Sequence, residues 1–162
     1  QAAHTWSRAY LLRCGLDDAP LARRQVHVHV PAGAIPKDGP SAGVTLATAL
    51  VSLATERPVR ADVAMTGEVT LRGRVLPVGG VREKSLAALR AGITTIIVPE
   101  RNLPDLEEIP KEGKRKLRFV PVSTMEQVLE AALENDTPAP RRRAPRLTRT
   151  ATVPAAAKNR ET

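Results

Sequence analysis

Trp6, Tyr10 and Phe119 are the only aromatic residues among 162 positions, and this scarcity constrains the fold more than any other feature. An aromatic side chain buries about 150–250 Å² and fills a core cheaply. Without such rings, interior packing density must come from Ala, Val, Leu and Ile in close interdigitation, which calls for alanine-rich helices lying close on a sheet. The chain is long enough for one such core and too short for two.

Hydrophobic periodicity fills in the elements. A helix is expected over about Ala2–Cys14, closed by Gly15, and then a strand at Gln25–Val30 with Val26, Val28 and Val30 in period two. Prolines and glycines exclude regular structure from there to Ser41, where a helix begins that runs to about Thr55 on Val44, Leu46, Leu50, Val51 and Leu53. Extended segments follow around Asp62–Leu71 and Arg74–Pro77 with Gly73 between them, then a Gly79-Gly80 turn and a helix from Arg82 to Arg90 ended by Gly92. A buried strand at Thr94–Val98, a loop holding Pro104 and Pro110, a strand at Lys116–Val122 and a helix at Thr124–Glu134 complete the body. Strands alternating with helices indicate an α/β domain, a mixed sheet with packed helices.

The formal net charge of +8 suggests a nucleic-acid partner until it is divided along the chain. Residues 1–136 hold 18 of the 25 basic and 16 of the 17 acidic side chains, so most of the excess lies in residues 137–162. That segment, TPAPRRRAPRLTRTATVPAAAKNRET, carries four prolines and almost no large apolar residues. It buries too little to offset its ordering entropy and is expected to be a disordered basic tail. Its RRR run would give at most weak electrostatic contact with nucleic acid, since no stacking aromatics accompany it. The lone Cys14 has no internal disulfide partner and reads as a small buried apolar residue of the first helix. No run of eighteen apolar residues suggests a membrane span.

Chemistry concentrates in two places. Ser41 sits in Pro36-Lys37-Asp38-Gly39-Pro40-Ser41-Ala42-Gly43, where a small-residue loop turns into an apolar helix, and Lys84 lies 43 residues later in the first turn after Gly79-Gly80. Serine at such a place is most simply a helix cap. Small neighbours, however, let a substrate backbone approach, and the helix start offers N–H groups for an oxyanion. GPSAG also fits the G-x-S-x-G elbow, but His4, His27 and His29 all precede Ser41, against the chain order that elbow requires. A His–Asp–Ser set built from His27 or His29 with Asp38 is the weaker option, because Asp38 lies three residues from Ser41 in the same loop. Lysine is the better base, provided that the site lowers its pKa by roughly 2–3 units from about 10.4, through burial and the positive end of its helix dipole.

These residues resemble the proteolytic domain of the Lon family of ATP-dependent serine proteases, in the A-type found in bacteria and mitochondria. The likeness runs from about His27 to Asp136 through HVHVPAGAIPKDGPSAG, DVAMTGEVTLRGRVLPVGG, VREKSLAALRAGITTIIVPERNLPDLEEIP and MEQVLEAALEND. Residues 1–26 fit more loosely and 137–162 not at all. The resemblance implies one Lon-type proteolytic domain over residues 1–136, with Ser41 as nucleophile, Lys84 as general base and Thr66 as a supporting hydroxyl. It further implies assembly into six-membered rings, unfolded polypeptide as substrate, and a separate ATPase region that uses ATP and Mg. No G-x-x-x-x-G-K-[ST] phosphate loop occurs, so no cofactor is expected in this chain, and a start at Gln1 fits an excised fragment. Bacterial cytoplasm is favoured over the mitochondrial matrix.

Thr66 and Glu68 are expected on one face of a strand Ala64–Glu68, where a hydroxyl would orient Lys84; the plainer reading is a threonine chosen for β-propensity. Asp38 suggests a switch, holding Lys84 protonated when it swings toward it. His27 and His29 form an H-x-H pair without a third ligand and read as two polar residues on a solvent face, with no metal. Two other function classes compete: an inactive assembly domain that keeps the fold without its chemistry, and a nucleic-acid-binding fragment acting through the tail.

Overall fold

The computed structural model describes residues 1–23, 25–29 and 39–134. Its centre is strand β4 (Thr95–Pro99), buried at every position, with β1 (Val63–Met65) and β5 (Arg118–Val122) parallel on either side; we number the two short strands between them β2 (Glu68–Val69) and β3 (Val75–Leu76). A parallel strand covered on both faces reads as a continuous apolar run, and TIIVP is such a run. Successive side chains alternate across it. Ile97 joins a cluster with Trp6, Val44, Ala47, Val51, Met125, Val128 and Leu129, while Ile96 and Val98 join Val81, Ala88 and Leu117 on the opposite face.

Helices α1 (Ala2–Arg13), α3 (Gly43–Thr55) and α6 (Met125–Ala132) supply the first cluster. Short α2 (Ala19–Ala22) adds Leu21 to a satellite cluster with Leu11 and Leu50. Helix α4 (Val81–Arg90) covers the other face. Ala3, Ala47, Ala88 and Ala132 are all buried in these layers, as a core poor in rings requires. The one buried ring, Trp6, stacks on Tyr10 with centroids 5.1 Å apart. Helix α6 begins on a capping box: the Thr124 hydroxyl accepts from the Gln127 N–H, and the Gln127 amide oxygen accepts from the Thr124 N–H, the arrangement expected of T-x-x-Q.

Each parallel crossover carries structure. Between β1 and β4 lie the antiparallel pair β2–β3 and then α4. Between β4 and β5 lie two 3-10 turns, Glu100–Asn102 and Pro104–Glu108, and α5 (Lys111–Lys116). Residues 99–115, expected as a loop, are therefore mostly helical turns.

Three other expectations change. The extended run Asp62–Leu71 is broken at Thr66-Gly67, so β1 and β2 belong to different sheets and Thr66 and Glu68 do not share a strand face. Residues 25–29 pair with no strand among the described residues; alternation of valines is a pattern for a strand, but a ladder needs a neighbour. Cys14 is exposed, because it follows the last turn of α1 instead of lying on its buried stripe. The tail and Asp38 lie outside the described residues.

Candidate active site

Ser41 sits in a 3-10 turn, Pro40–Ala42, that leads directly into α3. The α-helix starts two residues later than expected, and its N-cap is Ala42, with no side-chain cap bond. The Ser41 hydroxyl therefore does not cap the helix. Among the described residues it makes no hydrogen bond, and the residue is half-buried.

What fixes this turn is its carbonyl. The Ser41 C=O accepts from the Gly67 N–H at 3.0 Å and from the Thr66 hydroxyl at 3.3 Å, and the Gly67 C=O accepts in return from the Val44 N–H at 3.1 Å. Such close exchange needs small residues on both sides. A Cβ on Gly43 would lie 2.8 Å from the Val69 nitrogen, and one on Gly67 would lie 2.9 Å from Val75 Cγ1 and 3.0 Å from Val44 Cγ1. The glycines of PSAG and MTGE thus face each other across one contact. Their spacing alone did not reveal this, since it depends on a fold that brings residues 43 and 67 together.

Thr66 is buried and lies between β1 and β2, its N–H donating to the Ile97 carbonyl of β4 at 3.1 Å. Its hydroxyl meets the Ser41 backbone and, among the described residues, makes no bond to Lys84. Glu68 is half-buried on β2 opposite Leu76 and makes no ion pair among the described residues. Ser41 and Thr66 are joined by a hydrogen bond, whereas Glu68 lies close by on β2 with no side-chain bond to either.

Lys84 lies in the first turn of α4, after a Gly80 whose φ of 71° closes the double-glycine turn. Helical side chains lean toward the N-terminus, and the Lys84 ammonium does so, donating to the Gly79 carbonyl at 2.9 Å. No hydrogen bond joins it to Ser41 in this structure. Much of the side chain is open to solvent, yet desolvation of its charged end lowers its pKa below the ordinary lysine value. Partial loss of water disfavours an ammonium. The positive end of the α4 dipole acts in the same direction.

One contributor went unnoticed in the sequence. Asn102, buried at the end of the first 3-10 turn after β4, accepts from the Val78 N–H at 3.0 Å through Oδ1 and donates through Nδ2 to the Val78 carbonyl at 2.8 Å and to Asp105 Oδ2 at 2.5 Å. The available signal was an asparagine two residues before Pro104 in a non-periodic stretch, a residue type that bonds to backbone in loops.

A serine hydroxyl with no hydrogen bond among the described residues, on a turn held from behind, and a lysine of lowered pKa are groups suited to nucleophilic acyl transfer. The family described as the Lon protease (S16) C-terminal proteolytic domain matches residues 1–135. Relatives named Lon protease include one from Heliobacterium modesticaldum, 57% identical over 138 residues, which covers 85% of this chain and 17% of the relative. Another, from Desulfatibacillum aliphaticivorans, is 67% identical over 108 residues, covering 67% of this chain and 13% of the relative. A third, from Geobacter metallireducens, is 58% identical over 140 residues, with 86% and 17% covered. The chain spans no more than 17% of the length of these three relatives.

Proposed function

The chain belongs to the Lon protease family, within its C-terminal proteolytic domain, and on that premise we propose that it is a serine peptidase in which Ser41 is the nucleophile and Lys84 the general base. The observation that carries this reading is the Ser41 turn. Its hydroxyl has no hydrogen bond among the described residues, while its carbonyl is held by two donors, so the reactive atom is unengaged on a fixed backbone.

In the proposed reaction, neutral Lys84 leaves the Gly79 carbonyl and accepts the Ser41 proton as Oγ adds to the scissile carbonyl carbon. The resulting ammonium returns that proton to the departing amine, leaving an acyl ester on Ser41. Lys84 then takes a proton from water as the water attacks the ester and passes that proton to Ser41 Oγ as the acid departs, so that both groups are restored. The oxyanion needs fixed N–H donors. Those of Gly43, Val44 and Gly67 are committed to the carbonyls of Pro40, Gly67 and Ser41, so the donors belong elsewhere.

Unfolded polypeptide is the proposed substrate. Delivery falls to the family's ATPase region, which uses ATP and Mg outside this chain, and the working form is a hexameric ring. The proposed setting is bacterial cytoplasm, in keeping with bacterial relatives; among the described residues no helix is long and apolar enough to cross a membrane.

Intact-mass detection of a covalent adduct with a serine-directed peptidyl phosphonate tests the reading on the unaltered chain, Ser41→Ala and Lys84→Ala. An adduct on the first alone is expected. No adduct on a folded preparation, tested also as an enforced hexamer, would overturn it in favour of an inactive assembly domain.

A further inference from the structure

Both halves of the site are referenced to the carboxyl end of the same strand. On the serine side, the Ile97 carbonyl holds the Thr66 N–H, and Thr66 and Gly67 hold the Ser41 carbonyl. On the lysine side, the chain leaves β4 at Pro99 and turns once before presenting Asn102 to Val78. Gly79 follows Val78 directly, and its carbonyl receives the Lys84 ammonium.

We infer that Asn102 is a positioning residue for the base, clamping the backbone of Val78 so that the Gly79-Gly80 turn and the first turn of α4 hold Lys84 in register with Ser41. The inference rests on the reading of Lys84 as the base. Its geometry is specific to a carboxamide. One side chain must accept from an N–H and donate to a C=O of the same residue, and a carboxamide carries both groups side by side in one plane without having to titrate. Asp105 fixes which end is which, because its carboxylate accepts and so must face Nδ2. Aspartate at position 102 would keep the acceptor but turn a second oxygen toward the Val78 carbonyl and the Asp105 carboxylate. Burial raises the stakes, since Asn102 is 4% exposed and its amide has no water to fall back on.

A purely structural role would be local. Val78 packs into the cluster of Val81, Ala88, Ile96 and Val98, so α4 would stay docked by its apolar face without the clamp. The turn ahead of it would not stay fixed. Displacing a catalytic group by about 1 Å costs up to roughly 100-fold in rate, and a lysine that swings from its first helical turn is sensitive to where that turn begins.

The test is the kinetics of phosphonate labelling on the full chain carrying Asn102→Ala, with Asp105→Ala as a milder variant that leaves Asn102 in place. Rate at saturating reagent and labelled fraction are read separately. The inference expects complete labelling at a rate about 10- to 100-fold lower for Asn102→Ala, and lower by a few-fold for Asp105→Ala, with unchanged half-saturation. A reduced labelled fraction with the original rate means that Asn102 only maintains folding, and overturns the inference. Should the unaltered chain not label at all, the peptidase reading fails and NMR decides the clamp by itself. In the unaltered chain the Val78 amide should exchange slowly and the two Lys84 ε-methylene protons should be distinct, and both features should vanish in Asn102→Ala. Distinct Lys84 signals that survive the substitution overturn the clamp.

Discussion

The turn carrying Ser41 is held by backbone against backbone: its carbonyl takes the Gly67 N–H, the Gly67 carbonyl takes the Val44 N–H, and a Cβ on either Gly43 or Gly67 would come within about 3 Å of the facing segment. The turn leading to Lys84 is tied instead through a side chain, Asn102, and the lysine itself is largely in solvent with one bond to Gly79. The proposed nucleophile is thus built into the close approach of α3 to the hairpin, where any shift must move the core. The proposed base stands on a clamped turn, but its own side chain is free to swing. A group proposed to shuttle a proton between a serine, a leaving amine and water benefits from a side chain that can swing, whereas an attacking atom benefits from a fixed one.

The sharpest break of this comparison is Ser41→Ala. Because the hydroxyl makes no bond among the described residues, its loss should leave urea unfolding within about 0.5 kcal/mol of the original. Labelling and peptide hydrolysis should fall by about 1,000-fold or more. A large loss of stability would mean that the hydroxyl has a structural duty after all. Gly67→Ala should do the opposite on the stability side. The added methyl meets Val75 and Val44 at 2.9 and 3.0 Å, so the turn or the hairpin must shift. An unfolding cost of about 1–3 kcal/mol is expected, together with a fall of about 100-fold in the labelling rate of the folded fraction. A destabilised variant that labels at the original rate would separate the packing of this turn from its chemistry.

The same contrast explains what could be read in advance. TIIVP, the apolar stripe of α3 and the T-x-x-Q start of α6 are local patterns, and each sits close to its expected bounds. Strand pairing is not local. The alternating valines at 26 and 28 had no described partner, and the run through Thr66 was split between two sheets because Gly67 must pass close to α3. Ser41 stood out for its small neighbours, and Lys84 for the Gly79-Gly80 turn that precedes its helix. Thr66 was noticed for its position, but the contact it makes, with the Ser41 carbonyl, depends on a meeting of residues 25 apart. Asn102 carries only the weak signal of an asparagine in a non-periodic stretch until the fold places it beside Val78.

Thr66→Val sharpens the serine half at smaller amplitude. The substitution keeps shape and burial but removes the donor to the Ser41 carbonyl, which retains the Gly67 N–H. A loss of about 1 kcal/mol in unfolding free energy is expected, with a several-fold slower labelling rate and unchanged half-saturation. If Thr66→Val slowed labelling as much as Lys84→Ala, the hydroxyl would be acting on the lysine as well, and the two halves would not be separately held.

The smallest effect belongs to the lysine half. Desolvation lowers the folded-state pKa of Lys84 below its unfolded value, so between the two values the unfolded chain binds more protons. Stability should therefore rise with pH across that interval, and the penalty should be fully present below the folded value. Tyr10, whose phenol is pushed up chiefly by burial, contributes with the opposite sign, its stabilisation being lost as pH rises through its folded value. Subtracting the urea stability of Lys84→Met from that of the original chain, pH by pH, cancels Tyr10 and isolates the lysine. The difference should climb toward the ordinary lysine value and then flatten, while the labelling rate, which needs neutral Lys84, climbs through the folded value at lower pH. A difference that stays flat would mean that Lys84 is as well hydrated in the folded chain as in the unfolded one. The base would then have to be desolvated by the bound substrate, and the bond to Gly79 would serve only to park it.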